Sequence, residues 1–131
     1  RDIVSFAIGR HNNNQLVFET FDLAIQKYPD AHPLFHSDRG FQYTSKQFKA
    51  KLDKQGMQQS MSRVGRCVDN GPMEGFWGIL KCEMYYLNHF ETYEELVAAV
   101  EQFVHYYNYQ RRQHKLNCLP PATYRSLLEA A

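Results

Sequence analysis

Apolar positions along the chain change their period several times, and each change marks an element. Residues 3–8 (IVSFAI) form a short, nearly continuous apolar run stopped by Gly9, which predicts a buried strand. The polar cluster at 11–14 is a turn with ready helix caps. From 15 to 28, Val17, Phe21, Ala24, Ile25 and Tyr28 recur at helical spacing until Pro29 ends the pattern. Residues 34–37 read as a second short strand. Strand, helix, strand is a crossover unit, so the two strands are expected to be parallel neighbours, with Asp38 at the carboxyl end of the second.

Farther on, Thr44 or Ser45 caps a helix with Phe48 and Leu52 inward, lysines 46, 49, 51 and 54 around its surface, and Gly56 closing it. Residues 57–61 predict another short strand, and 62–71, poor in apolar residues, a loop. Pro72 opens a helix whose expected buried stripe is Phe76, Trp77, Leu80, Met84 and Leu87, with Glu74, Gly78 and Lys81 on another face. Thr92 and Glu95 make a capping box for a helix lined by Leu96, Ala99, Val100, Phe103 and Tyr107. An irregular basic tract at 108–121 precedes a last helix at 121–130. There is no internal repeat. The reading is one domain at 1–108 with a basic, helical tail at 109–131.

Composition changes this picture little. A chain of 131 residues with a hydrophobic fraction of 44% can build a core. The net charge of +1 is uninformative, but its distribution is not: residues 38–81 hold eight Lys/Arg against four Asp/Glu, and 91–101 hold four acids and no base. A basic centre beside an acidic helix suits a protein offering one face to a polyanion, or ordinary surface scatter. The three cysteines, Cys67, Cys82 and Cys118, contain no C-x-x-C pair, which suits a reducing cytosol and argues against a disulfide scaffold or structural zinc. Cys67 and Cys82 are expected to be inert thiols. No membrane-length apolar stretch is present. The chain starts at Arg1-Asp2 without an initiator Met, so it is expected to be a piece of something longer.

The candidate chemistry lies in two carboxylates, Asp38 at a strand end and Glu74 near a helix start, with 35 residues between them. Such a pair can share a divalent ion, the requirement of two-metal phosphoryl transfer. Their neighbours are HSDRG with QYTS behind it, and SMSRxGxCxDNGxxEGFWxxLKxE; the tail reads YYNYQRRQHKLNCLPPATY. Together these resemble the catalytic core of bacterial insertion-sequence transposases, relatives of retroviral integrases with an Asp-Asp-Glu triad. The resemblance covers essentially the whole chain. It implies an α/β, ribonuclease-H-like fold, truncated at the amino terminus so that the first two strands are absent, with C-terminal helices. It implies metal-dependent DNA cleavage and strand transfer in the parent protein, with Mg²⁺ or Mn²⁺ on Asp38 and Glu74, double-stranded DNA as partner, and a bacterial cytoplasmic location. Asp69-Asn70, Lys81 with Glu83, and Arg111 with His114 fall on the family's motif positions.

This chain departs from the pattern where the first catalytic aspartate belongs. Asp2 precedes what resembles the third strand and is given no catalytic role, and Gly75 stands where the family usually carries Ser. The fragment is therefore expected to be inactive alone and to bind little or no metal. The alternative is a non-catalytic remnant that binds DNA or assembles with itself. An exposed sheet edge predicts a homo-oligomer. Backbone contact to DNA is assigned to Arg39, Arg63, Arg66, Asn70, Lys81, Arg111, Arg112, His114 and Lys115. For the four tail residues, docking against the catalytic domain is the competing role; for Lys81 it is a salt link to Glu74 or Asp38. His36 either touches substrate or hydrogen-bonds internally. Phe76, Trp77, Tyr85 and Tyr86 are read as core rather than as platforms for bases.

Overall fold

The computed structural model describes residues 1–131, except for the side chain of Cys67. The expected inertness of the Cys67 thiol thus lies outside what is described. The fold is α/β, with a two-stranded parallel sheet and helices through the C-terminal half. Two compact units are formed, Val4–Met73, and Glu74–Ala131 together with Arg1–Ile3.

In the first unit, helix α1 (Asn14–Lys27) is capped by Asn13, whose side chain accepts from the Leu16 N–H at 3.0 Å. Strand β1 (Phe35–Ser37) pairs in parallel with β2 (Gln59–Met61), with Phe35 opposite Gln59, His36 opposite Ser60 and Ser37 opposite Met61. The crossover between them is α2 (Phe41–Thr44) and α3 (Lys46–Lys54). Ser45 caps α3, accepting from the Phe48 N–H. Gly56, at φ +64°, closes the helix in the left-handed region that favours glycine. Its N–H bonds to the Asp53 carbonyl and that of Met57 to the Leu52 carbonyl, so Met57 folds back onto Leu52 in the core. Phe48 is fully buried at the centre, its ring 5.1 Å from Phe35, 5.5 Å from both Phe21 and Tyr43, and 6.1 Å from Phe18. This core fixes β1 and thereby the point at which Asp38 leaves it.

In the second unit, α4 (Gly71–Glu83, its first three residues belonging to the first unit) buries Phe76 and Leu80, and Met84 follows them at the same spacing. Helix α5 (Tyr93–Tyr109) starts with half of the expected capping box: Thr92 accepts from the Glu95 N–H, while the Glu95 carboxylate reaches one residue past the cap and accepts from the Glu91 N–H. Phe103, Val104 and Tyr107 face the core, with Phe76 5.1 Å from Tyr107. Pro121 opens α6 (Pro121–Glu129), which packs on α5.

Three expectations are corrected. Residues 3–8 form no strand. A strand needs a neighbour to take its backbone groups, and here side chains take several: Asn108 binds both the N–H and the carbonyl of Ile3, and Lys27 reaches the Val4 carbonyl at 3.4 Å. The parallel neighbour of β1 is therefore β2. Second, Trp77 and Leu87 are 47% and 73% exposed rather than buried. Trp77 is rotated one residue off the line of Phe76, Leu80 and Met84. Leu87 lies beyond the end of α4, in a single 3₁₀ turn (Tyr85–Leu87), where the α-helical period no longer holds. Third, Tyr85 and Tyr86 lie on that same turn and are exposed, not core.

Candidate functional site

β1 delivers Asp38 to the surface, where its Oδ1 accepts from the Gly40 N–H at 2.8 Å. This side-chain turn swings the chain into α2. No ion pair engages Asp38 among the described residues. Its charge is felt next door: burial and then the Asp38 carboxylate hold the Tyr43 phenol above its ordinary range. A Cβ at Gly40 would come 2.9 Å from Gln42 Oε1 and 3.1 Å from Asp38 Oδ1, so a side chain there would push these two groups aside. The buried Gln42 in turn donates to Asn12 Oδ1 ahead of α1 at 2.5 Å. Arg39 donates through Nε to the Ser62 carbonyl at 2.8 Å, which ties the exit of β1 to that of β2.

His36 braces the same region. Its Nε2 faces the Asp69 carbonyl at 3.1 Å. A carbonyl only accepts, so Nε2 carries the proton, and in the neutral ring Nδ1 accepts from the Ser60 hydroxyl at 2.9 Å. His36 thus hydrogen-bonds within the chain, but from an exposed position and not in the core. The following loop is closed by Arg63 and Asp69, joined by two guanidinium–carboxylate bonds of 2.9 Å and by the Arg63 N–H at 3.0 Å. These bonds hold the Asp69 carboxyl far below the usual carboxylate range. Arg66 is exposed, and Asn70 is half-buried at the end of a 3₁₀ turn (Cys67–Asn70).

Glu74 occupies the first turn of α4, exposed and in no ion pair among the described residues. Lys81 lies two turns on along the same face, also exposed and in no such pair, so the salt link to Glu74 weighed for it is not formed. Glu83 is bound by Arg111 through two bonds, of 2.7 and 2.5 Å, which fasten the end of α4 to the segment after α5. The Arg111 guanidinium lowers the Glu83 carboxyl pKa and is itself held protonated more firmly. Arg112, His114 and Lys115 are exposed.

Of the site residues expected from sequence, Asp38, Arg39, Arg63, Arg66 and Asn70 thus belong to the first unit, and Glu74, Lys81, Arg111, Arg112, His114 and Lys115 to the second. Sequence reasoning missed Gln42, Asn108 and Gln113, three buried polar side chains. All stand inside the quoted motifs, and their polarity amid aromatic neighbours was the available signal. The donors fit a hard divalent ion in kind, being carboxylate oxygens that no cationic side chain pairs among the described residues. They fall short in number: among the described residues no three or more His, Cys, Asp or Glu side chains form a group that could hold a metal.

Residues 1–67 and 74–127 each match the family described as integrase core domain. An uncharacterized transposase-like protein of Haemophilus influenzae is 39% identical over 125 residues, covering 95% of this chain and 58% of that protein. A 31 kDa protein of insertion element IS600 from Shigella sonnei is 35% identical over 126 residues, covering 95% of the chain and 46% of the relative. The transposase for insertion sequence element IS904 of Lactococcus lactis is 35% identical over 115 residues, covering 87% and 46%. The chain spans about half the length of these relatives. No solved structure matches it. With both stretches matching one family, and relatives aligned along nearly all of it, the chain belongs to the integrase core family and is related to bacterial insertion-sequence transposases.

Proposed function

We propose that this chain is the C-terminal part of a transposase catalytic core, contributing Asp38 and Glu74 to metal-dependent cutting and joining of DNA. The observation that carries the reading is the state of these two carboxylates. One stands directly after a parallel strand, where it accepts from the Gly40 N–H, and the other sits in the first turn of a helix; among the described residues neither is neutralised by a cationic side chain. A bound Mg²⁺ or Mn²⁺ would supply Lewis-acid stabilisation of a phosphate oxygen. Two carboxylates are fewer than a two-metal centre requires, so the 131-residue chain is inactive by itself. The test is a nicking assay on a labelled terminal-repeat duplex with Mn²⁺, run beside Glu74→Gln. Nicking by the unmodified chain that is lost in Glu74→Gln would refute the inactivity.

Double-stranded DNA is the partner, with contact falling first on cations not engaged elsewhere. Arg66, Lys81, Arg112 and Lys115 meet that condition, with His114 beside them. Arg39, Arg63 and Arg111 serve first as struts, and Asn70 lies at the loop's end. If four phosphates are neutralised, log affinity falls with log salt at a slope of about −3.6. A salt-independent affinity would contradict this. Among the described residues no helix is long and apolar enough to cross a membrane. We assign the protein to the bacterial cytoplasm, self-associating through its short sheet, with residues 109–131 as a basic tail on the 1–108 core.

A further inference from the structure

The exposure of Trp77 is unexplained by packing. Its ring meets Phe76 edge-on at 5.2 Å, and Phe76 is buried against Tyr107, so the indole is braced on one side while 47% of the residue remains open to solvent. At 3.6 residues per turn, Glu74, Trp77, Gly78 and Lys81 fall within roughly 100° of the α4 circumference. A Cβ at Gly78 would meet no other part of the chain within 4 Å, so no neighbouring element packs on α4 at that position. Lys81, one turn along, offers an ammonium group with no ion-pair partner among the described residues. A half-exposed indole with an exposed ammonium group one turn away complements a nucleotide, its base on the ring and its phosphate on the ammonium.

We propose that Trp77 is a stacking platform for an unpaired base of a DNA strand, with Lys81 on the adjacent phosphate. This rests on the DNA reading above and deepens it: the preferred substrate is DNA carrying unpaired nucleotides at its end, rather than a fully paired duplex. An indole accepts any base because every base has a π-face, so the preference is for unpaired structure and not for sequence. The energetic source is also distinct from the phosphate term, since stacking survives salt better than charge pairing.

Trp77 is the only tryptophan in the chain, so tryptophan emission comes from this residue alone. The 131-residue chain is titrated with a blunt duplex, the same duplex bearing three unpaired nucleotides, and oligothymidine. Tryptophan emission and the anisotropy of a dye on the DNA are read in parallel. The tailed duplex and oligothymidine should quench emission in step with the anisotropy. Trp77→Ala should weaken both about tenfold while leaving the blunt duplex unchanged, with Trp77→Phe in between. Lys81→Ala should reduce the salt dependence and leave the quenching at saturation intact. Circular dichroism of the variants establishes that they fold, and the quenching by unmodified chain stands independently of them. Anisotropy that reports binding while emission stays constant and Trp77→Ala binds normally would overturn the stacking role alone. No binding of any DNA would overturn the DNA reading as well.

Discussion

Asn108 offers the sharpest test of how this chain holds its first residues. Its side chain is 4% exposed and makes two bonds of 2.9 Å, Oδ1 accepting from the Ile3 N–H and Nδ2 donating to the Ile3 carbonyl. Only one orientation of the amide satisfies both, so the side chain acts as a short substitute for a neighbouring strand. Asn108→Leu keeps the volume and removes both bonds. Each backbone group left without a partner costs about 1–3 kcal/mol, and Ile3 is only half-buried, so water recovers part. The net loss should be about 2–4 kcal/mol. With a urea dependence near 2 kcal/mol per molar, the unfolding midpoint should drop by about 1–2 M. Asn108→Asp separates the two bonds. The carboxylate still accepts from the Ile3 N–H but faces the Ile3 carbonyl without a proton, and burial raises its pKa in the folded state. For a raised folded pKa, the contribution is fully present below the unfolded value of about 4 and is lost as pH rises through the folded value. The deficit relative to unmodified chain should therefore be smaller at pH 4 than at pH 7. A loss below about 0.5 kcal/mol in Asn108→Leu, or a pH-independent deficit in Asn108→Asp, would refute this account.

Two further outcomes follow from the other unit. Phe48→Ala removes a fully buried ring that touches four others, and urea unfolding should show a loss of about 3–5 kcal/mol; a loss under about 1 kcal/mol would mean the aromatic core is not what holds β1. The Arg63–Asp69 clasp depresses the Asp69 pKa, so its contribution is present above the unfolded value of about 4 and is lost as pH falls below it. Carboxyl carbon shifts should show Asp69 ionised well below that value and returning toward it in Arg63→Met, whereas ordinary titration in the unmodified chain would contradict the clasp.

What the sequence disclosed and what it hid divide by distance along the chain. Asn13, Ser45, Thr92 and Gly56 are legible because a cap and the groups it satisfies lie within a few residues of each other. The same locality marks Asp38, since the apolar run before it and the glycine two residues after it announce a strand that ends in a turn. Helix α2 escapes because four residues are too few to show a period. Residues 3–8 mislead for the opposite reason: their pattern is that of a strand, but a strand exists only with a partner, and Ile3 finds its hydrogen bonds 105 residues away. Arg111 and Arg112 make the point at the level of the site. They are adjacent and chemically identical, and composition assigns both to nucleic acid. The fold gives one of them to Glu83, 28 residues upstream, where two bonds fix it against the end of α4, and leaves the other in solvent. Replacing Arg111 would therefore disturb the unit that carries Glu74 before it touched any DNA contact, whereas Arg112 reports on charge alone. Any loss of binding measured on the two together would mix these effects.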